Sequence, residues 1–386
     1  MIRYMKIGEI CDILNGYAFK SSRYINNKGI RVIRITNVQK GYIEDAEPKF
    51  YPEKEINEIK KFMLEDGDLL ISLTGNVGRV ALIDKSMLPA ALNQRVGCIR
   101  INKKDLIYKP YLYHLLNSDY FEKQCINSSN GIAQKNMSTE WLKEYYVPVY
   151  SMDYQKKIAT IFDKIDIVIK KHYKQIDILD KIAKSLFIEM FGDPVENPFM
   201  FEKQRLSKIG ELERGVSKHR PRNAPELLGG KYPLIQTGEI SNSDLYINKF
   251  ENTYSELGLS QSKLWKKGTL CITIAANIAK TGILTFDSCF PDSVVGFVPN
   301  KLTNNIFIHY WFSFFQKILE EEAPESAQKN INLKVLSNLD VIVPPIELQN
   351  KFAAVVAQID KSKLAVKKSL EELEILKKSL MQEYFA

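Results

Sequence analysis

The chain repeats itself in order. Lys6-Ile7-Gly8-Glu9 returns as Lys208-Ile209-Gly210-Glu211, and Gly67-Asp68-Leu69-Leu70-Ile71-Ser72 as Gly268-Thr269-Leu270-Cys271-Ile272-Thr273. Ala133-Gln134-Lys135-Asn136 returns as Ala327-Gln328-Lys329-Asn330. Echoes kept in one order at a nearly constant offset describe a tandem duplication, so the fold must be two copies of one unit with pseudo-twofold symmetry. Such a shape suits a partner that is itself roughly twofold, and duplex DNA is the obvious one.

Within each copy, short strand-like segments alternate with turns. Arg31–Val38 alternates charged and aliphatic side chains, as a half-buried strand does. Leu69–Thr74 and Leu270–Ala275 are apolar runs entered through a glycine turn, and Val96–Ile101 and Val294–Val298 read as further strands. A helix follows in each copy, Tyr111–Cys125 and Phe307–Glu321. Each copy then closes on an apolar strand ending in proline, Tyr146–Pro148 and Val341–Pro344. The implied fold class is α+β, with antiparallel strands expected rather than a βαβ pattern.

A long helix is expected after each closing strand. Ile158, Phe162, Ile165, Ile169, His172, Ile176, Leu179, Ala183, Leu186 and Met190 alternate spacings of four and three, an a/d heptad stripe with one polar intruder. Phe352, Val356, Ile359, Lys363, Val366, Leu370, Leu373, Lys377, Leu380 and Tyr384 repeat the spacing. Gly192-Asp193-Pro194 stops the first helix. Over Ile158–Met190 that helix would run roughly 50 Å at ~1.5 Å per residue. So narrow a stripe wants one partner helix, and the chain supplies it; a homodimeric coiled coil is the other possibility. The linker Gly192–Lys203 is too short to lead back along the first helix, so the pair must run antiparallel. The expected shape is two globular heads held apart by a two-helix spacer.

Catalytic signatures are missing. Gly229-Gly230-Lys231-Tyr232 lacks the upstream glycine and the hydroxyl residue of a phosphate loop, and Gly75-Asn76-Val77-Gly78 reads as a tight turn. Asn197-Pro198-Phe199 follows the helix stop and reads as linker. His114 and His309 match across the repeat but sit on apolar helices, where packing or a local hydrogen bond suits them better than catalysis. No acidic pair has metal-site spacing. The five cysteines are odd in number and never spaced C-x-x-C, which argues against a disulfide framework or zinc ribbon. No apolar run approaches the ~20 residues of a membrane span. A formal charge of +8 permits nucleic-acid binding. The chain reads as a cytoplasmic binding protein with no membrane association and no metal.

Polar residues on the loops after strands are the candidate DNA contacts. One group is Ser72, Thr74, Asn76 and Arg79, matched by Thr273, Asn277 and Lys280. A second is Gln134, Lys135 and Asn136, matched by Gln328, Lys329 and Asn330. Asn and Arg pair bidentately with base edges, while Thr and Lys commonly touch phosphate. The alternative for the first group is a solvated hairpin; the second suits a structural turn opening a helix or strand equally well. Lys218, Arg220 and Arg222 form a third, cation-dense cluster with a faint counterpart at Lys20–Arg23. The lysines of the first long helix read as its solvated face.

These features together resemble the specificity subunit of type I restriction–modification enzymes. The resemblance rests on the two tandem head-plus-helix units and on Met190-Phe191-Gly192-Asp193-Pro194 between them. It rests also on the Pro-ended strands entering each helix, Val147-Pro148 with Gln155 and Val343-Pro344-Pro345 with Gln349. It implies target-recognition domains at 1–150 and 194–345 and conserved spacer helices at 151–193 and 346–386. It also implies a non-catalytic chain that binds double-stranded DNA and docks two methyltransferase subunits, with restriction/translocase subunits joining for cleavage. S-adenosylmethionine and ATP would belong to those partners, and no cofactor to this chain. Because the copies diverge most at 15–60 against 215–262 and at 80–125 against 282–320, the expected target is bipartite and non-palindromic. Its half-site centres would lie roughly one turn (~34 Å) apart. The alternatives are a coiled-coil scaffold binding protein or glycan, and a homodimeric DNA-binding regulator.

Overall fold

The computed structural model describes residues 2–129, 135–275, 278–322 (317–322 as backbone only) and 331–385. The chain divides into two compact units, Met1–Tyr173 with Lys368–Ala386, and Lys174–Lys367. Each unit thus holds one head and one half of each long helix.

In the first unit the central sheet is antiparallel, in the order Cys11–Asn15, Val96–Ile101, Leu69–Ser72, Val80–Leu82. The second unit repeats it as Gly210–Arg214, Val294–Pro299, Leu270–Thr273, Thr281–Leu284, and adds Tyr246–Ile247 in parallel at the edge. A smaller sheet accompanies each, ordered Phe50–Tyr51, Ile30–Ile33, Ala90–Leu92 in one unit. Its counterpart is Asn252–Tyr254, Leu228–Leu234, Ser288–Cys289, Leu264–Trp265. Both smaller sheets contain a parallel pair, Ile30–Ile33 with Ala90–Leu92 and Leu228–Leu234 with Ser288–Cys289. Antiparallel pairing, as expected, predominates, and the exceptions are one pair in each smaller sheet and the edge strand Tyr246–Ile247. The chain between the paired strands of each smaller sheet, which itself contributes two central strands in the first unit and three in the second, is long enough to carry the second strand back in the same direction.

Local chemistry explains two further departures. Arg31–Val38 is not one strand: Ile35–Asn37 forms a 3-10 turn, closed where the Arg34 N–H donates to the Asn37 side-chain oxygen at 2.9 Å. The first head helix breaks into Lys109–Leu116 and Asp119–Ser128, because Ser118 caps a new start by accepting the Phe121 N–H at 3.1 Å. Its counterpart Asn305–Glu322 is unbroken.

Register also shows which echoes are true equivalents. Lys6 pairs with Tyr146, and Arg205 with Asp340. The Asn102 N–H donates to the Ile10 carbonyl and the Asn300 N–H to the Ile209 carbonyl. Ile10 therefore matches Ile209, and Lys6 matches Arg205 rather than Lys208. The first tetrapeptide echo is slipped by three positions. The second echo is in register: the Gly67 N–H donates to Ile83 and the Gly268 N–H to Leu284, both glycines at positive φ. Gly16 and Gly215 are an equivalent pair that no echo announced. A Cβ on Gly16 would lie 2.1 Å from the Asn93 carbonyl oxygen, and one on Gly215 would lie 2.3 Å from that of Pro291. Backbone cannot yield as a side chain can, so Gly16→Ala or Gly215→Ala should each cost about 2 kcal/mol or more in thermal unfolding. A wild-type melting curve for both variants would refute this.

Helices Met152–Phe191 and Ile346–Phe385 each run 40 residues. Every residue of both heptad stripes is buried or half-buried. In the first unit Phe162 stacks on Phe385 (5.4 Å between ring centres), Asp166 binds Lys377, and His172 meets the Ser369 hydroxyl at 3.1 Å. In the second, Asp180 binds Lys363 at 2.6 Å and Phe187 packs edge-on against Phe352. Partners descend along one helix as they ascend along the other, so within each unit the segments run antiparallel and the pairing is intramolecular. The polar residues of the stripes are matched. His172 faces serine, and the two stripe lysines face aspartates on the other helix. Burial opposes the Lys363 charge, but Asp180 and Asp244 outweigh it and hold its pKa above the usual lysine value.

Candidate nucleic-acid interface

Antiparallel register places a common set of turns at one end of each central sheet. In the first unit Asn15 lies opposite Gly97, Val96 opposite Ser72, and Ile71 opposite Val80. The exit of the first strand, the turn 93–95 and the hairpin 73–79 are therefore neighbours. In the second unit Arg214 lies opposite Val295, Val294 opposite Thr273, and Ile272 opposite Thr281. That end gathers 215–222, 291–293, 274–275 and 278–280.

The two loop groups expected to touch DNA belong to one rim. Thr74 and Asn136 form an antiparallel bridge, the Gly75 N–H donates to the Lys135 carbonyl at 2.9 Å, and the Met137 N–H donates to Leu73 at 2.9 Å. In the second unit the Ile331 N–H donates to Ile274 at 3.0 Å, the same stitch. Asn76, Lys135 and Asn136 are exposed on this rim and Thr74 is half-buried. Gln134, Asn277, Gln328, Lys329 and Asn330 lie outside the described residues.

Two candidates are corrected by their surroundings. Ser72 and Thr273 are 1% and 0% exposed. The Ser72 hydroxyl accepts the Arg79 N–H at 2.9 Å and donates to the Asn76 carbonyl, and the Thr273 hydroxyl accepts the Lys280 N–H at 3.0 Å. Both hold the hairpin from inside and offer no face to a ligand. Lys280 is half-buried and lines a cavity of about 470 Å³ together with Asp180, Asp244, Asp360 and His309. Arg79 is half-buried and donates to the Gln39 side-chain oxygen at 2.5 Å, which holds its guanidinium at the rim.

The third cluster is better organised than its sequence suggests. Arg220 and Arg222 both bind Asp292, Arg220 at 3.2 Å, and Arg214 donates to the Asp292 carbonyl oxygen. Asp292 thus holds three guanidiniums, two through its carboxylate and one through its backbone carbonyl, leaving excess positive charge on an exposed rim. Lys218 is exposed, its N–H held by the Gln261 side chain at 2.7 Å. Arg214 was missed in the sequence, as were Gln94 and Arg95 on the corresponding turn of the first unit. Only strand register brings these positions together.

The histidines are structural. His114, buried, bonds Asp163 at 2.8 Å, and His309 bonds the Thr281 hydroxyl at 2.9 Å. Burial pushes His309 down to about 4. All five cysteines are free and buried. Among the described residues no His, Cys, Asp and Glu cluster is arranged for a metal ion, and no helix is long and apolar enough to cross a membrane.

Comparison with known proteins gives the same picture twice over. Residues 2–178 and 200–375 each match the type I restriction modification DNA specificity domain. The chain is 25% identical to the type I restriction enzyme EcoBI specificity subunit of Escherichia coli, over 99% of this chain and 85% of that protein. It is 30% identical to the MjaVIII specificity subunit of Methanocaldococcus jannaschii over 47% of this chain and 43% of that one. In fold it is similar to the type I restriction–modification S subunit from M. genitalium, at 16% identity, with a TM-score of 0.60 across 100% of this chain and 96% of that one.

Proposed function

Since the chain belongs to the family of type I restriction–modification specificity subunits, which recognise DNA and do no catalysis themselves, we propose that it reads a bipartite, non-palindromic DNA site, one half per head. It does so within an assembly with two methyltransferase subunits, which restriction/translocase subunits join for cleavage. S-adenosylmethionine and ATP are bound by those partners, and the assembly works in the cytoplasm. One observation carries this reading. The two units share a frame down to strand register, yet the same sheet end presents Gln94 and Arg95 in one and Asp292 with three arginines in the other. Equal frames with unequal rims call for unequal half-sites.

Methylome sequencing of a host carrying this subunit with its methyltransferase should show a split motif with a fixed spacer. A continuous or palindromic motif would sink the proposal. Affinity of the assembled complex for that duplex should fall steeply with salt as condensed counterions are released. Arg79→Ala should weaken binding about 5- to 100-fold, the range for losing one arginine contact to DNA. Unchanged affinity would remove Arg79 from the interface.

A further inference from the structure

We propose that the turn 93–95 is the base-reading element of the first head, with Arg95 and Gln94 as its specificity-determining side chains. This rests on the DNA-recognition role proposed above. The backbone of the turn is tied on every side. The Asn93 N–H donates to the Ile33 carbonyl at 3.1 Å, the Gln94 N–H to Tyr17 at 3.0 Å, and the Val96 N–H to Asn93 at 2.9 Å. The Arg95 carbonyl accepts the Leu73 N–H at 3.1 Å, and the Asn93 side chain accepts the Arg95 N–H at 3.3 Å. Gly16 presses against the same turn with no room for a side chain. The side chains of Gln94 and Arg95 contrast with this: both are exposed, and neither makes a hydrogen bond or ion pair among the described residues.

A fixed backbone carrying unengaged side chains is what a reading element requires. Rigid attachment sets the position of the side chains, and partners left open can be met by the ligand. Arginine pairs bidentately with the O6 and N7 of guanine, and glutamine with the N6 and N7 of adenine. Arg79 differs, because Gln39 already occupies it. In the second head the equivalent turn is pinned the same way, the Ile274 N–H donating to Ser293 at 3.1 Å and the Gly215 N–H to Val294 at 2.8 Å. There Asp292 engages Arg214, Arg220 and Arg222, so the same position holds cations in place instead of extending a reader of its own.

The test is methylation of duplex libraries by the complex of this chain with its methyltransferase subunits. Arg95→Ala should lower methylation of the cognate site roughly 10- to 100-fold and relax preference at one guanine of one half-site, leaving the other half-site as it was. Arg95→Lys keeps the charge but not the fork, so it should not restore the preference. Gln94→Ala should relax an adjacent adenine. Retained reading of the other half-site reports that the chain is folded. An unchanged motif, or a uniform loss over all sequences that Arg95→Lys rescues, overturns the assignment and leaves the general reading intact. A wild-type complex that methylates no split site overturns both.

Discussion

Phe187→Ala should destabilise the second unit by about 4 kcal/mol, in the range for emptying a fully buried aromatic site. Phe187 is 0% exposed, and its ring lies 5.0 Å from Phe191, 5.5 Å from Phe307, 5.1 Å from Phe314 and 5.6 Å from Phe352. Those rings come from the two long helices and from the head helix Asn305–Glu322. One side chain therefore joins three elements, and none can close the void without displacing the others. Phe187→Leu keeps most of the volume and should cost about 1.5 kcal/mol or less. Denaturant unfolding of both variants checks the pair, and a loss under about 1 kcal/mol for the alanine would show that the aromatic cluster repacks.

Phe187 also marks the limit of what the heptad stripe disclosed. The stripe ran through Leu186 and Met190, which are only half-buried, whereas Phe187 and Phe191 beside them are fully enclosed. The opposite helix repeats the pattern, with Leu380 and Tyr384 half-buried and Met381 and Phe385 buried. Spacing along one helix reports the face toward its partner helix; it carries no sign of a second face covered by a head. The repeat, the helix pair and its direction were legible because they rest on periodicity and chain connectivity. The parallel strand pairs were not, since a short apolar run looks alike in either orientation. Nor were the roles of Ser72 and Thr273. A small hydroxyl ending a strand has the same sequence signature whether it faces solvent or ties its own hairpin. The convergence of Arg214, Arg220 and Arg222 on Asp292 depends on pairing across the sheet, which no local pattern encodes.

Gln349→Leu should cost the second unit roughly 4 kcal/mol, although the replacement is apolar and similar in size. Gln349 is 0% exposed and makes four hydrogen bonds. Its oxygen accepts from the Thr303 hydroxyl at 2.8 Å and the Asn304 N–H at 3.3 Å; its amide donates to the Leu302 carbonyl at 3.0 Å and the Pro344 carbonyl at 2.8 Å. Leucine would leave those four groups without partners, the Thr303 hydroxyl and Pro344 carbonyl in buried contacts and the other two part-buried, each at about 1–3 kcal/mol when fully buried, with partial relaxation limiting the sum. Gln155 does the same work in the first unit, accepting from Tyr108 and donating to Leu106 and Tyr150, each at 2.8 Å, so Gln155→Leu should cost somewhat less. Each glutamine binds the first turns of a long helix to the loop entering a head helix, which is how the helix frame holds a head in place. Gln349→Glu separates hydrogen bonding from volume. A buried carboxylate keeps the two acceptor contacts, and it must take up a proton to recover one donor. Its folded pKa then lies above the unfolded value, so its deficit against the wild type should shrink as pH falls through that folded pKa. Thermal unfolding of the full chain at two pH values measures this. A Gln349→Glu deficit independent of pH, or a Gln349→Leu variant as stable as the wild type, would show that the frame holds its heads by packing alone.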